Sequence, residues 1–226
     1  NGMTLASWAV NATIKGLTRV LCKVNDEQLA KVPKHGPLIL VANHINFLDI
    51  PVVVTHLHPR PITGFVKSET WDNPIMGILF NLWGAIPIRR GEADMEAYRQ
   101  ALEALQAGKI VAVAPEGTRS NHGRLQRGYS GVVTLALHSH APLLPLVYYG
   151  NEHFRSNLKR LRRTDFNIRV GRQFTLDIGE VKVARALRQA ITDEIMYQLA
   201  ELLPPVYRGV YGNLDSATHQ YLRFME

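Results

Sequence analysis

Pro37-Leu38-Ile39-Leu40-Val41-Ala42-Asn43-His44-Ile45-Asn46-Phe47-Leu48-Asp49 runs from an unbroken apolar stretch straight into a histidine and, five residues later, an aspartate. A short apolar run closed by a polar residue reads as a strand. On a continuous helix, residues five apart would point about 140° away from each other. His44 and Asp49 therefore meet only if His44 lies in the turn after the strand and Asp49 in the first turn of a following helix. An α/β sheet presents its functional groups there, at the carboxyl ends of its strands. Asp49 would then fix the imidazole tautomer and leave the second ring nitrogen as a base. The spacing alone leaves another reading open, in which His44 caps a turn and Asp49 caps a helix.

Outward from this stretch, strands and helices alternate. Ile62 to Lys67, Ala85 to Ile88, Ile110 to Ala114 and Leu143 to Tyr149 read as strands, with Pro87 making the second irregular or peripheral. Pro74 to Leu82, with proline in its first turn, and Gly131 to His140 read as helices. Asp94 to Ala107 reads as a helix capped by Asp94 and ended by Gly108, with Met95, Tyr98, Leu102 and Leu105 on one face. Asn167 to Val170 and Gln173 to Leu176 alternate like a strand pair or one bent strand. Lys182 to Leu203 reads as a long helix carrying Val183, Leu187, Ile191, Ile195, Leu199 and Leu202 on one face, stopped by Pro204-Pro205. This alternation predicts a single α/β domain with a mixed, largely parallel sheet flanked by helices. At 226 residues and 46% hydrophobic, the chain is long enough for one full core.

The first 34 residues read as a separate N-terminal helical segment ahead of a catalytic domain over 35–226. Leu5, Trp8, Ala9, Ala12 and Leu17 fall near one helical face, with Ile14, Val20 and Leu21 broadening it, and Lys15, Arg19 and Lys23 are the only charges before Asp26. A basic amphipathic helix with a tryptophan suits a membrane interface. The same stripe would equally serve a helix packed on its own core.

The formal charge of +7 favours an anionic partner: a phosphate-bearing substrate, an acidic membrane surface or a nucleic acid. One cysteine, Cys22, excludes an internal disulfide framework and fits a reducing compartment. No stretch approaches the roughly 18 apolar residues of a membrane-spanning helix. The N-terminus lacks the basic start and clean apolar core of a secretory signal.

A second chemical stretch, Pro115-Glu116-Gly117-Thr118-Arg119-Ser120, also ends an apolar strand. Arg119 offers a planar donor fork for phosphate, and Glu116 an acceptor for substrate hydroxyls. A tight turn with a surface ion pair is the plain alternative. Arg89 and Arg90 follow another short strand as a second phosphate clamp, which Lys67 and Arg127 would extend. The pairs His56/His58 and His138/His140 lack acidic or cysteine partners at ligand spacing, so they read as surface or packing residues and no metal site is expected.

Asn43-His44-(x4)-Asp49, Gly84-Ala85-Ile86-Pro87-Ile88-Arg89-Arg90, Pro115 to Ser120 and Ala141-Pro142-Leu143-Leu144-Pro145-Leu146 stand in the order and rough spacing of four blocks of the glycerolipid acyltransferase family. The chain most resembles its PlsC-like, lysophosphatidic acid acyltransferase branch, over about residues 35 to 150. The resemblance implies that His44 takes the proton from a glycerol hydroxyl while Asp49 holds the imidazole. The alkoxide would attack the thioester of acyl-CoA or acyl-carrier protein, with no cofactor and no acyl-enzyme. The acceptor would be the sn-2 hydroxyl of 1-acyl-glycerol-3-phosphate, and the product phosphatidic acid. The second and third blocks would bind the glycerol phosphate through Arg90, Glu116, Gly117 and Arg119, with Arg89, Thr118, Lys67 and Arg127 around them.

Two positions depart from the family pattern. Asn46 stands where many members have serine, and Arg89 where many have an acid. These leave the reaction class in place and open the choice of acceptor: another lysophospholipid or glycerol-3-phosphate is the enzymatic alternative, and a catalytically silent lipid-binding module the non-enzymatic one. Arg155, Lys159, Arg160, Arg162 and Arg163, interleaved with Leu158 and Leu161, suit anionic lipid headgroups. No nucleic-acid motif accompanies the charge, so no nucleic-acid partner is expected. The whole reads as a peripheral enzyme on the cytoplasmic face of a bacterial membrane.

Overall fold

The apolar run forms strand β2 (Leu38–Ala42), every residue of it buried. Its alternate side chains enter two different cores: Ile39 and Val41 pack on one face of the sheet, and Leu38, Leu40 and Ala42 on the other. A strand apolar at every position is what a sheet covered on both faces demands. The computed structural model describes residues 5–89, 94–179 and 184–225.

In chain order the other elements are α1 (Leu5–Leu21), β1 (Cys22–Asn25), α2 (Asp49–Leu57), β3 (Ile62–Lys67), α3 (Pro74–Leu82), β4 (Ile86–Ile88), α4 (Met95–Gln106), β5 (Ile110–Val113), α5 (Gly131–Ser139), β6 (Leu143–Tyr149), α6 (Phe154–Lys159), β7 (Thr164–Val170), β8 (Phe174–Leu176), α7 (Arg185–Leu202) and β9 (Leu222–Phe224). The sheet runs β1-β7-β6-β2-β5-β3-β4, with β8 pairing β6 and β9. β6, β2, β5, β3 and β4 are parallel to their neighbours along that path, so their carboxyl ends share one edge. β7 runs antiparallel to β6. The expected α/β class and mixed, largely parallel sheet are what the chain adopts. Pro87 lies in an edge strand, the place where a missing ladder donor is tolerated.

The larger core sits between the sheet and α4, α5 and α7, and includes Ile191, Ile195, Met196 and Leu199. The second lies on the other face under α2, with Val52, Val53 and Leu57. Val183, expected on the α7 face, lies outside the described residues. The two segments read as a strand pair or one bent strand prove to be the latter, beginning at Thr164. Leu146 pairs with Val170 and Leu143 with Phe174, so β7 and β8 follow β6 in turn, offset by a one-residue bulge. Gly171 marks the bend, where a Cβ would stand 2.7 Å from Pro145 Cγ.

α4 is capped by Asp94, which accepts from Ala97 N, and of its expected face Leu105 is buried and Tyr98 and Leu102 pack against the core; Met95 instead points to solvent, and Ala97, Ala101 and Ala104 complete the buried side. Alanines let this helix approach the sheet closely, which a ridge of longer side chains would prevent. In α1 the inward face is Asn11 and Thr18 with part-buried Ile14 and Leu21, packed towards α2 and the cluster around Phe80 and Trp83. The stripe of Leu5, Trp8, Ala9, Ala12 and Leu17 is turned outward, with Leu5 89% and Trp8 60% exposed. The helix therefore packs on the domain without using that stripe. It leads directly into β1, an edge strand parallel to β7, so the N-terminal segment contributes to the same sheet.

Candidate active site

β2 ends at Ala42, and the next six residues turn the chain into α2, whose first residue is Asp49. His44 Nδ1 lies 2.8 Å from Asp49 Oδ2. The same oxygen accepts from the backbone amides of Ile45 at 2.6 Å and Asn46 at 3.0 Å. Asp49 Oδ1 accepts from Asn151 Nδ2 at 2.8 Å. A carboxylate surrounded by donors acts as an acceptor only, so Nδ1 carries the imidazole proton and Nε2 keeps a lone pair. Asn43 anchors the start of the turn: its side chain donates to Tyr148 O and accepts from Tyr148 N, extending the β2–β6 ladder.

The Glu116 stretch follows β5 at the same edge and docks onto this turn. Ser120 N donates to His44 O, and Asn121 N to Ile45 O. Glu116 is buried, accepting from His44 N at 3.0 Å and Gln126 N at 2.9 Å. Its carboxylate thus holds two loops in register. Burial pushes its carboxyl above the usual range, partly offset by those amides. Gly117 has φ +67, the left-handed conformation that brings the chain round beside the ring of Tyr129. Thr118 and Arg119 stand exposed beyond it, and Arg119 Nε lies 3.4 Å from His44 Nε2.

The structure therefore gathers His44, Asp49, Glu116, Gly117, Thr118 and Arg119 at one place. Lys67 and Arg89 lie at the same sheet edge, at the ends of β3 and β4, each in an ion pair: Lys67 with Glu69 at 2.8 Å, Arg89 with Asp94 at 3.6 Å. Arg127 is exposed on the segment between β5 and α5. Arg90 lies outside the described residues. Sequence reading assigned no role to Asn43 or Asn151. The only local signal for Asn151 is Gly150 after a strand, which marks a turn and says nothing of what the next side chain reaches. Among the described residues no group of His, Cys, Asp and Glu is arranged to hold a metal ion.

His44 and Asp49 also form part of the wall of an apolar cleft between α2, β3 and α3, lined by Ile50, Val53, Val54, Phe65, Val66 and Phe80. Its floor includes Gly64 and Ala112, paired across β3 and β5. A Cβ on Gly64 would stand 2.8 Å from Ala112 O.

A histidine at the end of a central strand, held by a carboxylate, thus opens beside an apolar cleft. The acyltransferase family profile matches residues 23–149, more than half of the chain, and the chain belongs to that family. Among its relatives are the chloroplastic 1-acyl-sn-glycerol-3-phosphate acyltransferase LPAT1 of Arabidopsis thaliana, 29% identical over 57% of this chain and 36% of that protein. The 1-acyl-sn-glycerol-3-phosphate acyltransferase of Bacillus subtilis is 26% identical over 61% and 65%. The lyso-ornithine lipid O-acyltransferase of Pseudomonas aeruginosa is 29% identical over 56% and 54%. The chain thus spans between about a third and two thirds of the length of these relatives. The crystal structure of PlsC from Thermotoga maritima, a 1-acyl-sn-glycerophosphate acyltransferase, shares the fold with a TM-score of 0.60 at 20% identity, covering 87% of this chain and 80% of that one.

Proposed function

We propose that this chain transfers a fatty acyl group from a thioester, acyl-CoA or acyl-carrier protein, to the sn-2 hydroxyl of 1-acyl-glycerol-3-phosphate, giving phosphatidic acid. The observation that carries this reading is the 2.8 Å His44–Asp49 contact, with Nε2 facing Arg119 beside an apolar cleft. Nε2 takes the hydroxyl proton, and Asp49 stabilises the imidazolium. The alkoxide oxygen bonds to the thioester carbonyl carbon, the C–S bond breaks, and the departing thiolate takes the proton back from the imidazolium. The products are an ester and a free thiol. The thioester is already activated, so no cofactor enters. The phosphate of the acceptor meets Arg119, drawing its guanidinium away from the imidazole, with Arg89, Arg90, Lys67 and Arg127 adding positive charge around it. The cleft takes the acyl chain. Glu116 acts by holding the His44 turn against the Arg119 turn.

A lipid acceptor implies a membrane surface. Beside the outward stripe of α1, α3 exposes Ile75 and Ile78, and Trp83 Nε1 ties the two helices by donating to Asn11 Oδ1 at 2.9 Å. This apolar surface and the net charge of +7 suit peripheral binding to anionic lipid on the cytoplasmic face of a membrane. The similarity to a lyso-ornithine lipid acyltransferase favours one second reading, in which the same machinery acylates a lysolipid lacking phosphate. Transfer of labelled acyl groups to 1-acyl-glycerol-3-phosphate, lyso-ornithine lipid and glycerol-3-phosphate separates these. Preference for the first supports the proposal, and preference for the second replaces its acceptor while keeping the mechanism. No transfer to any acceptor would leave a lipid-binding module.

A further inference from the structure

Asn151 lies outside the four sequence blocks, yet it is completely buried and touches the centre of the site. β6 ends at Tyr149, and Gly150, with φ +93, turns the chain so that Asn151 faces α2. A Cβ on Gly150 would stand 3.1 Å from Asp165 O, so the turn is built tightly against β7. Asn151 Nδ2 donates to Asp49 Oδ1 at 2.8 Å, the one hydrogen bond to that oxygen among the described residues, beside the three donors on Oδ2. Rotating the amide would aim its oxygen at the carboxylate, so the donor orientation is the one that stands. Asn151 Oδ1 is left buried with no partner, a cost to folding that a hydrophobic residue would not carry. A polar group kept at such a cost points to a task beyond packing.

The Asn46 departure fits the same arrangement. Its Oδ1 accepts from Leu48 N at 2.9 Å, closing the turn that leads into α2. Its Nδ2, which serine lacks, reaches Asn151 O at 2.8 Å. Asn46 thus ties the His44 turn to the backbone of the residue that holds Asp49.

We propose that Asn151, held by Asn46, is the positioning residue of the His44–Asp49 pair: it fixes the Asp49 carboxylate plane so that Oδ2 meets His44 Nδ1 and Nε2 faces the acceptor. This rests on the reading of His44 as the base. The groups facing the imidazole are Asp49 on one side and Arg119 on the other, with Glu116 on its backbone amide and Tyr148 beside Asp49. Replacing Asn151 with alanine takes a donor from Asp49 Oδ1 and leaves more of the carboxylate charge to the imidazole, which favours imidazolium, whereas a buried aspartate at 151, so close to Asp49, shares a proton with it and restores an O–H donor.

The test combines kinetics with NMR titration of the His44 ring in wild type, Asn151→Ala, Asn151→Asp and Asn46→Ser, each checked for cooperative melting. Asn151→Ala lowers kcat about 10–100-fold, the range that loss of an outer partner costs at other oriented imidazoles, with KM for the thioester within about twofold. Asn151→Ala moves the His44 titration midpoint and the acid limb of kcat to higher pH, Asn151→Asp, sharing a proton with Asp49, recovers activity relative to Asn151→Ala, and Asn46→Ser gives a smaller loss of kcat in the same direction as Asn151→Ala. Wild-type kcat or an unmoved acid limb in Asn151→Ala overturns the proposal. If Asn151→Ala does not fold, the Asn46→Ser kinetics and acid limb decide it. If the wild type acylates nothing, the functional reading falls, while the titration still decides whether Asn151 governs the pair.

Discussion

At the scale of single residues, the site is a set of charges held by amides. Asp49 accepts four hydrogen bonds, so removing its charge disturbs both the imidazole and the turn. Asp49→Asn sets an NH2 group against donors on one side or the other. It should lower kcat by at least about 10²-fold, the low end of what an oriented general base contributes, as read in steady-state transfer assays. Glu116 is shifted in the opposite direction to an ion-paired carboxylate. Burial holds its folded value above 4.5, so the folded state binds the proton more tightly than the unfolded chain. The stability this contributes is complete below 4.5 and lost as pH rises through the raised folded value. Melting temperatures of wild type and Glu116→Gln between pH 4 and 7 should show the wild type losing ground relative to the variant as pH increases. Cys22 is wholly buried and its thiol is pushed up to about 11, chiefly by burial. At pH 8 it should resist alkylation until the protein unfolds, seen as a mass shift only in denaturant.

At the scale of elements, the segment after α7 secures the site from behind. Leu125 N donates to Tyr207 O, and Val210 N to Leu125 O, clamping the stretch between Arg119 and α5. Tyr211 OH donates to Asp193 Oδ1 and accepts from Gly128 N, and Tyr207 OH donates to Glu152. Gly209, at φ +52, lies where a Cβ would be 1.9 Å from Leu125 O. Gly209→Ala should destabilise the fold by more than about 1 kcal/mol and weaken acceptor binding through the displaced loop, measured by chemical denaturation and KM. This clamp was not legible in the sequence, because the pairing of Leu125 with Tyr207 and Val210 joins residues more than eighty apart. Helix and strand positions were legible because each repeats its apolar residues at its own period. On α4 only Met95 was misplaced, and the buried alanines beside Leu105 went unread because alanines carry little pattern of their own. The His44–Asp49 pair was legible because both ends lie within one turn, whereas Asn151 meets Asp49 only through the β2–β6 pairing.

At the scale of the whole molecule, the parallel strands bring their carboxyl ends to one edge, and everything chemical in the site stands there. Strand order is not written in local pattern, so it came from the structure alone. The orientation of α1 was undecided from sequence because one apolar stripe would serve a lipid surface or the core equally, and its inner face proves to be centred on the polar Asn11 and Thr18. No helix among the described residues is long and apolar enough to cross a membrane, and the proposed surface attachment rests on the outward stripe of α1. Arg155, Lys159, Arg160 and Arg162 are exposed on and after α6, while Arg163 also donates to Arg19 O and Cys22 O at the end of α1. The double variant Leu5→Ser, Trp8→Ser should reduce flotation with anionic liposomes while leaving the melting temperature within about 2 °C, since neither side chain packs on the core. Equal flotation would remove α1 from the membrane surface.

The central claim is that His44 is the base of an acyl transfer to a lysolipid hydroxyl. Transfer of a labelled palmitoyl or oleoyl group to 1-acyl-glycerol-3-phosphate, by wild type and His44→Ala of matched stability, tests it most directly. The account predicts phosphatidic acid from the wild type and a rate at least about 10²-fold lower from the variant, with the acceptor still bound. Transfer by His44→Ala at the wild-type rate would contradict it.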